Sequence, residues 1–146
     1  MFQGFSKKTG EFLWELAFNN ERPWFLAHKD EFEEYVNAPF KALAEECFAL
    51  MEQRYPALDC RVHVSRIYRD ARRLFGRGPY KDHLWFTLWT GEDRHNSPVF
   101  WFELSPASFS YGVGFYTATA EQMAALLVSA FPAPVTDLFQ QLGVLR

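Results

Sequence analysis

From position 66 to 81 the chain reads Arg66-Ile67-Tyr68-Arg69-Asp70-Ala71-Arg72-Arg73-Leu74-Phe75-Gly76-Arg77-Gly78-Pro79-Tyr80-Lys81. Guanidinium groups at this density suit one chemistry above others, the recognition of phosphate or carboxylate oxygens by paired N–H donors. Arg66, Arg69, Arg72, Arg77 and Lys81 supply charge, and Tyr80 supplies a stacking ring or an orienting hydroxyl. Asp70, the single acid of the run, is a partner that can hold an arginine in place. The Gly76-Arg77-Gly78-Pro79 turn lets backbone approach a ligand closely. These seven residues, Arg66, Arg69, Asp70, Arg72, Arg77, Tyr80 and Lys81, form the candidate ligand-binding set. A structural reading stands beside it with equal weight: Arg66, Arg69 and Asp70 as an internal ion-pair network, with Arg72, Arg73 and Arg77 merely solvated.

Other chemistries find less support. His28, His63, His83 and His95 lack the spacing of a metal-binding helix, and Cys47 and Cys60 form no C-x-x-C pair, so no metal or cofactor is expected. His83, two residues beyond Lys81, is the best-placed general base. Ser65, Ser108 and Ser110 sit in no nucleophile elbow. The glycines of Tyr111-Gly112-Val113-Gly114 fall inside a strand pattern, where they mark a bulge or close packing.

The elements that must carry the basic run follow from periodicity. Thr9 is the expected cap of a first short helix with Phe12, Leu13, Leu16 and Ala17 on its apolar side. Asn19 and Asn20 break it, and an Asn cap with Pro23 in the first turn opens a second helix carrying Trp24, Phe25, His28, Phe32, Tyr35 and Val36. Asn37-Ala38-Pro39 is expected to separate that helix from a third. There Phe40, Leu43, Ala44, Cys47, Phe48, Met51 and Tyr55 make one core stripe, opposite Lys41, Glu45, Glu46, Glu52 and Gln53.

From position 60 the apolar period becomes alternating. Cys60, Val62 and Val64 share one face, with Arg61, His63 and Ser65 on the other, and the strand is expected to run on to Asp70. Strands at 84–90, 99–104 and 109–116 follow, joined by connections too short for a parallel crossover. Thr119-Ala120-Glu121-Gln122 reads as a capping box for a helix bearing Met123, Leu126, Leu127 and Ala130. A last short helix spans about 136–142. The expected class is α+β: N-terminal helices on an antiparallel meander of about four strands, then one or two short helices.

At 146 residues, with 49% hydrophobic and 18% aromatic residues, the chain is expected to form one domain, 1–146, with an aromatic core. No run of about 18 apolar residues occurs, so no membrane partner is expected, and a buried free Cys47 points to a reduced, cytoplasmic setting. The charge is unevenly placed. Positions 61–81 carry +6 in a chain whose net charge is −3, leaving −9 on the remainder. An acidic body with one basic patch favours a localised anion site over general nucleic-acid binding.

Three stretches together resemble the domain of unknown function 2461 family: Phe12-Leu13 through Asn19-Asn20 to Trp24-Phe25; Arg66-Ile67-Tyr68-Arg69-Asp70 through Pro79-Tyr80-Lys81; and Tyr111-Gly112-Val113-Gly114. The resemblance runs from about Phe5 to Thr119. Where the family usually has Arg-Phe after the R-D-x step, Arg72 is followed here by Arg73, and Arg77 stands near the usual Lys. The resemblance implies a C-terminally shortened member, whose exposed surface another subunit of a homo-oligomer would cover. It implies no reaction. The residues favour a binding module for a small phosphate- or carboxylate-bearing ligand. The alternatives are an enzyme on a phosphoester or carboxylate with Asp70, Tyr80 or His83 as acid or base, and a nucleic-acid interaction module.

Overall fold

The structure, a computed structural model, describes residues 1–122. Helices α1 (Lys7–Phe18), α2 (Arg22–Ala27), α3 (Lys29–Phe32) and α4 (Ala38–Arg54) precede strands β1 (Cys60–Val64), β2 (Leu84–Thr90), β3 (Val99–Leu104) and β4 (Phe109–Gly114). The strands pair antiparallel in chain order, β1-β2-β3-β4. The class is α+β, as the change of period requires. Thr119 and Gln122 exchange the two hydrogen bonds of a capping box, at 2.9 and 3.1 Å, and a helix opens at Ala120. Met123, Leu126, Leu127, Ala130 and the expected helix at 136–142 lie outside the described residues.

One face of the sheet packs on the helices. Leu84, Phe86 and Leu88 from β2 and Phe100, Phe102 and Leu104 from β3 are buried against Leu13, Leu16, Val36, Phe40, Leu43 and Cys47. Phe40 sits at the centre, its ring 5.6 Å from Phe86 and 6.2 Å from Phe102. The expected α4 stripe is the one that buries: Phe40, Leu43, Ala44 and Cys47 are fully covered. Burial pushes the Cys47 thiol up to about 12, so it acts as a small apolar filler.

Three helix boundaries differ from expectation. Asn37-Ala38-Pro39 does not separate two helices. The helical path from Lys29 to Arg54 continues through a wide turn, Glu33–Asn37, in which the Ala38 N–H donates to the Glu33 carbonyl five residues back. Pro39 has no N–H for the Tyr35 carbonyl one turn earlier, and Thr9 Oγ1 donates to that oxygen instead, at 2.7 Å. Thr9 is thereby spent. It is buried in the first turn of α1, accepts from the Ser6 N–H at 3.2 Å, and leaves Ser6 as the cap. Glu21, rather than an asparagine, precedes α2, because Asn20 turns its amide elsewhere.

Candidate functional site

Strand β1 ends at Val64. Ser65 donates its N–H to the Trp85 carbonyl at 2.8 Å, and its Oγ accepts the Trp85 N–H at 2.9 Å. A side-chain oxygen thus replaces the next ladder carbonyl, and the main chain leaves the sheet. The expected extension to Asp70 does not form for this reason. The basic run instead folds back on itself. The Arg69 N–H donates to Pro79 O at 2.7 Å, the Lys81 N–H donates to Ile67 O at 2.8 Å, and Tyr68 bridges Tyr80. Ile67 anchors this narrow hairpin in the core.

The hairpin sorts the seven candidate residues. Arg69 is half-buried, and its guanidinium donates to Gly78 O at 3.1 Å and Tyr80 O at 3.0 Å. Tyr80 is buried, its ring stacked 4.1 Å from Phe25, and burial raises its phenol above the usual range. Asp70 pairs with Arg72 rather than with Arg66 or Arg69. Its carboxylate accepts from the Arg72 N–H and from two guanidinium nitrogens at 2.8 and 3.1 Å, which holds it down at about 2. This pair is exposed and closes a short 3₁₀ turn, Ala71–Arg73. Arg77 is exposed and reaches the Leu74 and Arg73 carbonyls only at 3.4 Å. The close backbone approach at Gly78 is to Asn20: a Cβ there would lie 2.5 Å from the Asn20 carbonyl oxygen.

Arg66 and Lys81 have no carboxylate partner among the described residues. Arg66 is exposed. Lys81 is half-buried, with its Nζ 5.9 Å from the centre of the Trp85 ring. Its amine is pulled below the usual lysine range by burial first, then by the charges of Arg69 and Arg66. His63 shares Trp85 as a neighbour, at 5.3 Å. Its imidazole is pulled down by burial and by Arg94, Lys81 and Arg66 together. His83, the favoured base, bonds its sequence neighbour Asp82 at 2.9 Å.

Arg94 is the cation that sequence reasoning missed. From the polar turn after β2, its guanidinium carbon lies 5.6 Å from the Trp89 and Tyr116 rings and 6.0 Å from that of Trp85. Beneath it is the sheet face turned away from the helices, where a cavity of about 470 Å³ is lined by Trp85, Thr87, Val99, Trp101, Glu103 and Tyr116, among others. The alternation of β2 held the signal. With Phe86 and Leu88 committed to the core, Trp85, Thr87 and Trp89 must share the opposite face, and an outer sheet face is ordinarily polar. The hydroxyl of buried Thr87 and the indole N–H of Trp89 find no hydrogen-bond partner among the described residues.

The family model described as conserved hypothetical protein (DUF2461) matches residues 8–129, which take in all of α1 but Lys7, the basic hairpin and all four strands. The chain belongs to the DUF2461 family. No curated protein and no solved structure is matched. The DUF2461 description names no reaction, so its chemistry has to be read from side chains. Among the described residues no group of His, Cys, Asp and Glu could hold a metal ion, and no helix is long and apolar enough to cross a membrane.

Proposed function

We propose that this DUF2461 chain binds a small anionic ligand, bearing phosphate or carboxylate, at the cationic rim formed by Arg66, Lys81 and Arg94. One observation carries the reading. Three cations close enough to act together on His63 have no carboxylate to neutralise them among the described residues. Concentrating unpaired positive charge on an acidic chain costs folding energy, and a bound anion would return it. Of the original seven residues, Lys81 and Arg66 supply the charge in this reading. Arg69 and Tyr80 hold the hairpin that presents Lys81, and Asp70, Arg72 and Arg77 shape the exposed loop beyond it. A cytoplasmic setting belongs to the same reading, supported by the buried, unreactive Cys47 thiol.

Calorimetric titration with inorganic phosphate, pyrophosphate and citrate at low ionic strength tests it. At least one anion should bind, Lys81→Met should weaken it about tenfold or more, and Lys41→Met on the outer face of α4 should leave it unchanged. Absence of binding by all three, or equal affinity in Lys81→Met, would reject the reading.

A further inference from the structure

The cavity under Arg94 has a composition that a simple anion does not use. In the β2–β3 register Trp85 stands opposite Glu103 and Thr87 opposite Trp101. On one face, therefore, the two indoles lie on one diagonal and the two polar side chains on the other, with directly opposed Cβ atoms about 5 Å apart. Trp101 is held against bare backbone, since a Cβ on Gly112 opposite it would come within 3.0 Å of the indole. Strand β4 thus leaves this face free of bulk at Gly112 and Gly114. The Glu103 carboxylate has neither a hydrogen bond nor an ion pair to any described residue. As a carboxylate it only accepts, with two oxygens side by side. The buried Thr87 hydroxyl, diagonal to it, also lacks a partner among the described residues.

We infer that this cavity takes the base of a guanine nucleotide whose phosphate rests on the rim of Arg66, Lys81 and Arg94. The inference deepens the anion-binding reading above and rests on it. Three requirements select the ligand. The lining is aromatic, with the exposed Trp101 indole beside Trp85 and Tyr116, and a planar heterocycle stacks on such a ring. A two-oxygen acceptor calls for two adjacent N–H donors on one edge. Guanine presents such a pair, its ring N–H and its amino group, whereas adenine and cytosine set a ring acceptor beside their amino group, which would face the carboxylate lone pairs. The cations border the cavity, with Lys81 Nζ 5.9 Å from the Trp85 ring and the Arg94 guanidinium carbon 6.0 Å from that ring and 5.6 Å from the Tyr116 ring, where a phosphate attached to the stacked base can reach them. A cavity of about 470 Å³ falls in the range that holds ligands of this size, about 300–1,000 Å³.

Binding of GMP, AMP, ribose 5-phosphate and inorganic phosphate to the full chain, followed by tryptophan fluorescence and calorimetry, tests the inference. GMP should quench the fluorescence and bind about tenfold or more tightly than AMP or ribose 5-phosphate. Glu103→Gln should remove the preference for GMP over AMP while leaving inorganic phosphate binding intact. Ribose 5-phosphate or AMP binding the unaltered chain as tightly as GMP would overturn the base site and leave the anion reading standing. If none of the four binds, the nucleotide inference falls, and the anion reading falls with it if pyrophosphate and citrate also fail to bind. An oligonucleotide that binds where GMP does not would replace the free nucleotide with a single-stranded nucleic acid and also overturn the inference.

Discussion

The amide of Asn20 closes on both main-chain polar groups of Tyr80. Its Oδ1 accepts the Tyr80 N–H, and its Nδ2 donates to the Tyr80 carbonyl, both at 2.9 Å and across 60 residues of chain. The same carbonyl accepts from the Arg69 guanidinium at 3.0 Å, so both of its lone pairs are used. The helix connection and the basic hairpin are tied at one residue, Tyr80. Asn20→Ala should cost about 2–4 kcal/mol in chemical denaturation, since it leaves a part-buried N–H and a weakened carbonyl contact behind. Retention of full stability in Asn20→Ala would remove Tyr80 from its place as a tie point.

Arg69 tests whether the basic run is scaffold or site at its first interior arginine. Its guanidinium bonds two backbone carbonyls and no carboxylate among the described residues. Arg69→Ala should lower stability by about 1–3 kcal/mol. It should also weaken phosphate binding less than Lys81→Met does. Unchanged stability with abolished binding would instead make Arg69 a direct ligand contact.

The two glycines of the hairpin loop should respond differently to alanine. At Gly78 a Cβ would collide with both the side chain and the carbonyl of Asn20, so Gly78→Ala should cost about 2–3 kcal/mol or prevent folding. At Gly76 the added Cβ meets nothing, but φ is +77°, so Gly76→Ala should cost only about 1 kcal/mol of backbone strain. Thermal denaturation of the pair reads the difference. Equal losses would mean that Asn20 does not pack on Gly78.

His63 reports the field of the rim. Its folded-state value lies below 6.5, so the unfolded chain binds the proton more readily. Its contribution to stability is therefore complete above about pH 6.5 and is lost as pH falls below that value. NMR titration should place the His63 midpoint below 6.5, and saturating pyrophosphate should move it upward by screening Arg94, Lys81 and Arg66. A midpoint that ignores every anion would argue against ligand occupancy of the rim.

Thr9 should be sensitive although it lies far from the basic hairpin. Thr9→Val keeps the shape but removes the donor that serves the Tyr35 carbonyl one turn before Pro39. The expected cost is about 1–3 kcal/mol by denaturant titration. A neutral effect would mean that the wide turn satisfies Tyr35 without help.

The sequence by itself determined the elements whose information is local. The stripe from Phe40 to Cys47 buries as its 3.6-residue spacing demands, and the alternation in the four strands sends Phe86, Leu88, Phe100 and Phe102 to one face. The Thr119–Gln122 box was legible because both partners sit within four residues. The fate of the basic run was not legible, because its decisive bonds are not local. Ser65 ends β1 by bonding a residue 20 positions away, and Asn20 fixes Tyr80 from 60 positions away. Whether an arginine is scaffold or free cation depends on which carbonyl or carboxylate the fold brings to it. Only the tertiary structure gave Arg69 two backbone oxygens and Arg72 its Asp70, while leaving Arg66 and Lys81 without a carboxylate among the described residues. Only the strand register set His63, Trp85 and Glu103 on one surface, and only the turn after β2 returned Arg94 to it.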